Sequence, residues 1–183
     1  MRKDKEEIAL INAARTDPVA FGELYKKYID KIYNYIYFRT GSANDAEDLT
    51  EKVFLKAMSH IKGYKHMGLP FSAWLYRIAH NLVANYHRDR SSKQEISLDD
   101  LPGRIIPQPD PQPEAKIVIR QEVEELLGTI RELADNRQEL LFLKFVEQLS
   151  NMEIGLIMRK SEGAIKSLYH RTLLELRERL ISE

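Results

Sequence analysis

Cysteine is absent from the 183 residues. The chain therefore builds no disulfide scaffold and no thiolate metal site, and it suits a reducing cytoplasm. No apolar run approaches the roughly 18 residues of a membrane span, so no membrane insertion is expected. The opening MRKDKEEIAL brings acids too early for a signal peptide. Net charge is missing too, because 28 Lys and Arg balance 28 Asp and Glu. Such a balance argues against indiscriminate binding to nucleic acid. There is no glycine-rich phosphate loop. Of the five histidines, His80 and His87 lie seven apart on one helix face, but no third ligand stands at a suitable spacing. No metal, no cofactor and no catalytic residue are expected.

The zero charge hides a distribution. Residues 1–92 carry fifteen Lys and Arg against eleven Asp and Glu, a surplus of four. Residues 93–115 carry two against five, and residues 116–183 eleven against twelve. The middle, SSKQEISLDDLPGRIIPQPDPQPE, holds five of the seven prolines and cannot form a regular element. It reads as a linker, extended and polyproline-like near Pro107 to Pro113.

Nearly everything outside the middle reads as helix. Asp17 as N-cap and Pro18 at the first position open a helix that closes at Gly41. Its apolar positions Phe21, Leu24, Tyr25, Tyr28, Ile32, Tyr35 and Ile36 keep helical period. Ser42 and Asp45 begin the next, with the stripe Ala46, Leu49, Val53, Phe54, Ala57 and Ile61. After the break KGYKHMGLP comes FSAWLYRIAHNLVANYHRDR, in which Phe71, Trp74, Leu75, Ile78, Leu82, Val83 and Tyr86 form the apolar stripe. Its other face carries Arg77, Asn81, Asn85 and Arg88, flanked by His80, Ala84 and His87. A core stripe with a solvated back is one reading. Yet a single acid, Asp89, accompanies three arginines, two histidines and two amides, so the face offers donors to phosphates and base edges.

The last third is again helical. Ala115 to Leu133 forms one amphipathic helix, and Asp135 to Glu147 the next, with Leu140, Leu141, Leu143 and Phe145 apolar. Ser150 and Glu153 make a full capping box. Ser161 caps the final helix, which offers Glu162, Gly163, Ala164, Lys166, Ser167, His170 and Arg171 on its early exposed turns. Ile165, Leu168, Tyr169 and Leu173 can pack inward. A short helix, a tight turn and a longer basic helix make a helix-turn-helix pattern, or else a plain helical hairpin. The fold expected is all-α: a helical domain over 1–92, a flexible acidic linker over 93–114, and a second helical domain over 115–183.

Three segments in this order resemble the bacterial extracytoplasmic-function group of RNA polymerase sigma factors, in the sigma-70 family. DAEDLTEKVFLKA looks like its polymerase-binding helix, FSAWLYRIAHNLVANYHRDR like its −10 and melting helix, and the stretch from Arg137 to Leu180 like its −35-binding domain. The resemblance implies a cytoplasmic transcription initiation factor, monomeric when free. Its implied partners are core RNA polymerase, promoter DNA and an anti-sigma factor. Asp45, Asp48, Leu49, Val53 and Phe54 would meet the polymerase clamp. Arg77, His80, Asn81 and Asn85 would lie against the −10 region, and Arg88 and Arg90 would grip backbone phosphates. The loop with Tyr64, Lys65, His66 and Met67 would receive a base extruded from the non-template strand, which needs stacking surface and polar edges; a solvated turn is the plainer reading. Trp74 fits both an upstream bubble edge and the core, and core is preferred. Lys160, Ser161, Glu162, Gly163, Ala164, Lys166, Ser167, His170 and Arg171 would meet the −35 element. The linker, with Asp99 and Asp100, would thread the polymerase channels as a nucleic-acid mimic.

The chain departs from the family's pattern in places. Arg159 stands where glycine is common in the turn, and a side chain is accommodated there if φ stays negative. Ala164, Leu168, His80 and Asn85 also differ, so promoter preference does not transfer. A helix-turn-helix regulator acting without a holoenzyme is the alternative; it would have no need of the DAEDLTEKVF helix.

Overall fold

The computed structural model describes residues 2–66, 68–92 and 126–181. The chain divides into two compact units, Met1–Arg104 and Ile105–Glu183. The expected linker over 93–114, the first part of the helix expected from Ala115, and Met67 lie outside the described residues.

The first unit holds α1 (Arg2–Ala14), α2 (Pro18–Thr40), α3 (Ala43–His60), a 3-10 turn (Ile61–Gly63) and α4 (Phe71–Ser92). Helix α2 packs against each of the other three, and α3 packs against α4. The ends of α2 follow from local chemistry. The Asp17 carboxylate accepts from the Val19 N–H at 2.9 Å, and Gly41 closes the helix at φ 71 with its N–H on the Tyr37 carbonyl. Ser42 caps α3 by accepting from the Asp45 N–H.

The buried faces of α2 and α3 are those the period predicts, except that Tyr25 stays 40% exposed. On α4 the buried face is rotated. Tyr76 and Ala79 are fully buried beside Leu75 and Val83, while Trp74, Ile78, Leu82 and Tyr86 are half-buried. Tyr76 reaches inward because its ring meets Tyr35 edge-on at 5.3 Å, a contact worth about 0.5–1.5 kcal/mol beyond area burial.

The second unit contains a helical segment over 126–131, α5 (Asp135–Leu141), a π-helical turn (Phe142–Val146), α6 (Asn151–Met158) and α7 (Glu162–Ile181). Leu133, Leu141 and Leu176 cluster with Ile130, and Leu140, Leu143, Ile154, Ile157 and Ile165 are fully buried. Arg179 pairs with Glu132 and with Glu175, which also pairs with Arg137, so one ionic chain ties α5 and the turn just after the 126–131 segment to α7. The helix expected over Asp135 to Glu147 is thus interrupted. The π turn adds a residue per turn and shifts the register, which leaves Phe145 58% exposed rather than inside. Among the described residues there is no strand, and no helix is long and apolar enough to cross a membrane.

Candidate nucleic-acid interface

The face of α4 opposite its core side carries Arg77, Asn85 and Arg88 exposed, with His80 and Asn81 half-buried beside them. Arg88 lies 3.5 Å from Asp89, an exposed pair of little strength. Arg90 behaves differently. It donates to the Tyr86 hydroxyl and stands 3.7 Å from the Asp45 carboxylate, which accepts from Tyr86 at 2.8 Å. Burial, then the Asp45 contact, raises the Tyr86 phenol above its ordinary value, and Arg90 offsets part of the rise. His87 Nε2 donates to the Arg39 carbonyl at 3.0 Å, so this histidine is tied to α2 rather than offered outward.

The loop before α4 corrects one expectation. Tyr64 is only 8% exposed and cannot present a face to a base. Its ring is held against Phe71 at 5.2 Å and Trp74 at 4.9 Å, and Phe71 in turn meets Tyr28 and Trp74. Burial raises the Tyr64 phenol, with a further push from the Glu7 carboxylate. Lys65 and His66 are exposed. Trp74, expected in the core, is half-buried, an aromatic ring left partly open beside the polar face.

Helix α3 corrects another. Leu49, Val53 and Phe54 are buried at 6%, 0% and 5%, and Phe54 meets Tyr25 of α2 at 4.8 Å. They hold the unit together and cannot also be a contact surface. Asp45 is half-buried in the pairing with Tyr86 and Arg90, while Asp48 is exposed. Helical spacing puts Asp48, Glu51, Leu55 and Met58 on one stripe, and the two apolar members are 53% and 50% exposed.

The helix-turn-helix is α6, the turn Arg159–Ser161 and α7. Ser150 and Glu153 form the reciprocal capping box at the start of α6. The Ser161 hydroxyl accepts from the Ala164 N–H at 3.2 Å and caps α7. The turn rests on two residues. Arg159 adopts φ 56 and ψ 45, not the negative φ expected of a side chain at this place. The tight reversal needs a left-handed residue: it lets the Lys160 N–H reach back to the Gly155 carbonyl at 2.8 Å. Gly155 is the second, and sequence reasoning passed over it. A Cβ there would lie 2.6 Å from the Lys160 carbonyl oxygen, so only glycine admits this approach. The sequence signal was a glycine inside an otherwise good helix.

Inward-facing residues of α7 are Ile165, Leu168, Thr172 and Leu176; Tyr169 is half-buried, and Leu173, expected inside, is 40% exposed. Lys160, Ser161, Glu162, Gly163, Ala164, Lys166, Ser167, His170 and Arg171 are all exposed. Lys166 pairs with Glu162 at 2.8 Å, and Arg171 Nε donates to the Ser167 carbonyl at 3.3 Å, both contacts that a stronger anion can displace. The capped N-terminus adds the favourable end of the helix dipole for phosphate. Among the described residues no group of three His, Asp or Glu side chains is placed to hold a metal ion.

Comparison with known proteins agrees with this arrangement. Residues 24–93 match the family model Sigma-70 region 2, and residues 123–176 match Sigma-70, region 4. The chain is 36% identical over 154 residues to the ECF RNA polymerase sigma factor BldN of Streptomyces coelicolor, an alignment that takes in 84% of this chain and 58% of BldN. It is 32% identical over 149 residues to the ECF RNA polymerase sigma factor SigM of Bacillus subtilis, with 81% of this chain and 88% of SigM covered. The chain shares its fold with the solved structure of CnrH in complex with the cytosolic domain of CnrY at a TM-score of 0.67, with 20% identity and 97% of each chain covered.

Proposed function

This chain belongs to the ECF RNA polymerase sigma factors of the sigma-70 family, and from that premise we propose how its two units divide promoter recognition. It is a transcription initiation factor, not an enzyme, and it acts in the cytoplasm where the polymerase is. The second unit sets α7 into the major groove of the −35 element through the exposed run from Lys160 to Arg171. The first unit takes the −10 region on the Arg77, Asn81, Asn85 and Arg88 face and assists strand opening. Lys65 and His66 meet the polar edge of an extruded base, and Trp74 supplies stacking surface. Core polymerase docks on the α3 stripe of Asp48, Glu51, Leu55 and Met58.

The observation that carries this reading is the side-chain sorting along the turn and α7. Ile165, Leu168, Thr172 and Leu176 are buried where α7 packs on α5 and α6, and all nine polar or small positions expected at DNA, from Lys160 to Arg171, stay exposed. Phe145, Val146, Met152, Leu173, Leu174 and Ile181 are also exposed. Apolar surface of this kind supports a protein partner, for which an anti-sigma factor is proposed.

Reconstitution with core polymerase tests the division. Leu55→Asp with Met58→Asp should abolish capture by core polymerase while the fold persists with a modest fall in melting temperature, since neither side chain is buried but an acid in the last turn of α3 opposes the helix dipole. Arg171→Ala should weaken upstream duplex binding by roughly 1–3 kcal/mol and leave a pre-melted template nearly unaffected. Asn81→Ala should do the reverse. Equal losses on both templates for both variants would refute the division, and tight specific binding by the free chain at physiological salt would refute the dependence on polymerase.

A further inference from the structure

Helix α1 lies outside both matched regions, which begin at residues 24 and 123. Yet it makes two long-range attachments. The Arg15 guanidinium, just past its C-terminus, donates to the Tyr64 carbonyl at 2.8 Å across 49 residues. Glu7, two turns earlier, accepts from both the Tyr28 hydroxyl and the Lys27 ammonium. The Tyr28 ring is 5.7 Å from Phe71, and Phe71 is 5.2 Å from Tyr64. So α1 holds both ends of the loop between Tyr64 and Phe71: the leading end through a main-chain carbonyl, the trailing end through an aromatic ring.

We propose that α1 is a brace that presets this loop for the extruded base, with Arg15 as its positioning residue. The proposal rests on the reading of the loop given above. The carbonyl that Arg15 holds belongs to the peptide joining Tyr64 to Lys65. Fixing that oxygen fixes the plane from which Lys65 and His66 project. Those two side chains have no secondary structure of their own to order them. The bond is charge-assisted and half-buried, which makes it stronger than a neutral contact in water. The buried Tyr64 ring therefore serves as a floor clamped from below, and the two residues after it are the ones that meet the nucleotide. A loop ordered in advance spares the ordering cost when the base arrives, so the benefit falls on strand opening and not on duplex binding.

The test uses full-length protein with core polymerase on a promoter that the wild-type holoenzyme selects from randomised duplexes. Arg15→Ala should slow open-complex formation roughly fivefold to tenfold, the scale of losing order in one or two side chains. Duplex affinity should hold, and Arg15→Lys, which can still donate to the carbonyl, should recover most of the rate. On a template with an abasic site at the extruded position the wild type and Arg15→Ala should open alike. Trp74 is the only tryptophan and lies 4.9 Å from Tyr64, so its emission in the free chain should shift to the red in Arg15→Ala. Two results overturn the brace alone: an equal slowing on the abasic template, which marks a general loss of structure, or normal opening by Arg15→Ala while the double variant Lys65→Ala, His66→Ala opens slowly. Normal opening by that double variant overturns the base-receiving loop, and the brace with it.

Discussion

Arg159 supplies the sharpest test of how this chain makes the turn between α6 and α7. A left-handed conformation costs a residue with a Cβ roughly 1–2 kcal/mol. Glycine avoids that cost but loses roughly 0.5–1 kcal/mol more chain entropy on folding. Arg159→Gly should therefore stabilise the second unit by about 0.5–1 kcal/mol. For a unit of this size that is a rise in melting temperature of roughly 2–8 °C. Arg159→Ala keeps the Cβ and the strain, so it should gain nothing. Thermal melting of the full chain, followed by far-ultraviolet circular dichroism, reads both. Arg159 is also exposed at the turn. If its charge lies near phosphate, the glycine variant should bind promoter duplex as holoenzyme with a salt slope shallower by about one unit, although it is the more stable protein. The reasoning fails if Arg159→Gly melts at or below the wild type, or if alanine matches glycine. Either outcome would mean that the turn can rearrange around a side chain at no cost.

Gly155→Ala should destabilise the second unit by about 1–2 kcal/mol, because the clash with the Lys160 carbonyl outweighs the better helix propensity of alanine; the same melting experiment checks it, and a higher melting temperature would mean the turn moves aside. The buried tyrosines set an alkaline limit. Burial raises Tyr28, Tyr64 and Tyr86 above their ordinary value of 10.0, and Glu7 and Asp45 reinforce the rise. Their contribution is fully present below that value and is lost as pH climbs past it, because the unfolded chain releases its phenolic protons first. Stability should be flat from neutral pH to the ordinary tyrosine range and fall above it, and Tyr28→Phe should make the alkaline fall shallower; denaturant titrations at stepped pH measure both.

The features legible in the sequence are those decided within a few residues. Asp17, Gly41, Ser150 with Glu153, and Ser161 all cap as the sequence predicts, since capping compares one side chain with one nearby N–H. The features that were not legible depend on a second element. Tyr76 and Ala79 give a weak hydrophobic signal, and only the position of α2 and α3 decides that they face inward. Arg159 takes its conformation from what Gly155 permits at the other side of the turn. Leu49, Val53 and Phe54 carry a different lesson. They belong to the apolar period of α3 and to a segment resembling a polymerase-binding helix, and one side chain cannot serve both. Burial decides for the core, and the surface proposed for polymerase lies nearly half a turn away, at Leu55 and Met58.

The pairing of Asp45 with Arg90 combines two residues that the resemblance assigns to different partners, one to polymerase and one to DNA. For Arg90 to grip a phosphate it must leave Asp45. The pair is 3.7 Å apart with side chains 40% and 37% exposed, so solvent screens it and it is worth no more than about 1 kcal/mol. A phosphate can compete at that level, so under the proposed reading Asp45 would act as a brake on DNA affinity and not a lock. Asp45→Asn removes the charge while its amide oxygen can still accept from Tyr86. The variant holoenzyme should bind promoter duplex roughly two- to fivefold more tightly, corresponding to about 0.4–1 kcal/mol of released competition. Capture by core polymerase, measured separately on the same variant, shows whether Asp45 also contributes there. Loss of the acid from the first turn of α3 should cost about 0.3–1 kcal/mol of stability through the helix dipole, so a small fall in melting temperature accompanies the gain in affinity. Adding Arg90→Ala should cancel the gain. If Asp45→Asn leaves DNA affinity unchanged, or if the gain survives without Arg90, then Arg90 is a structural partner of Tyr86 and the phosphate grip at the end of α4 belongs to Arg88 alone.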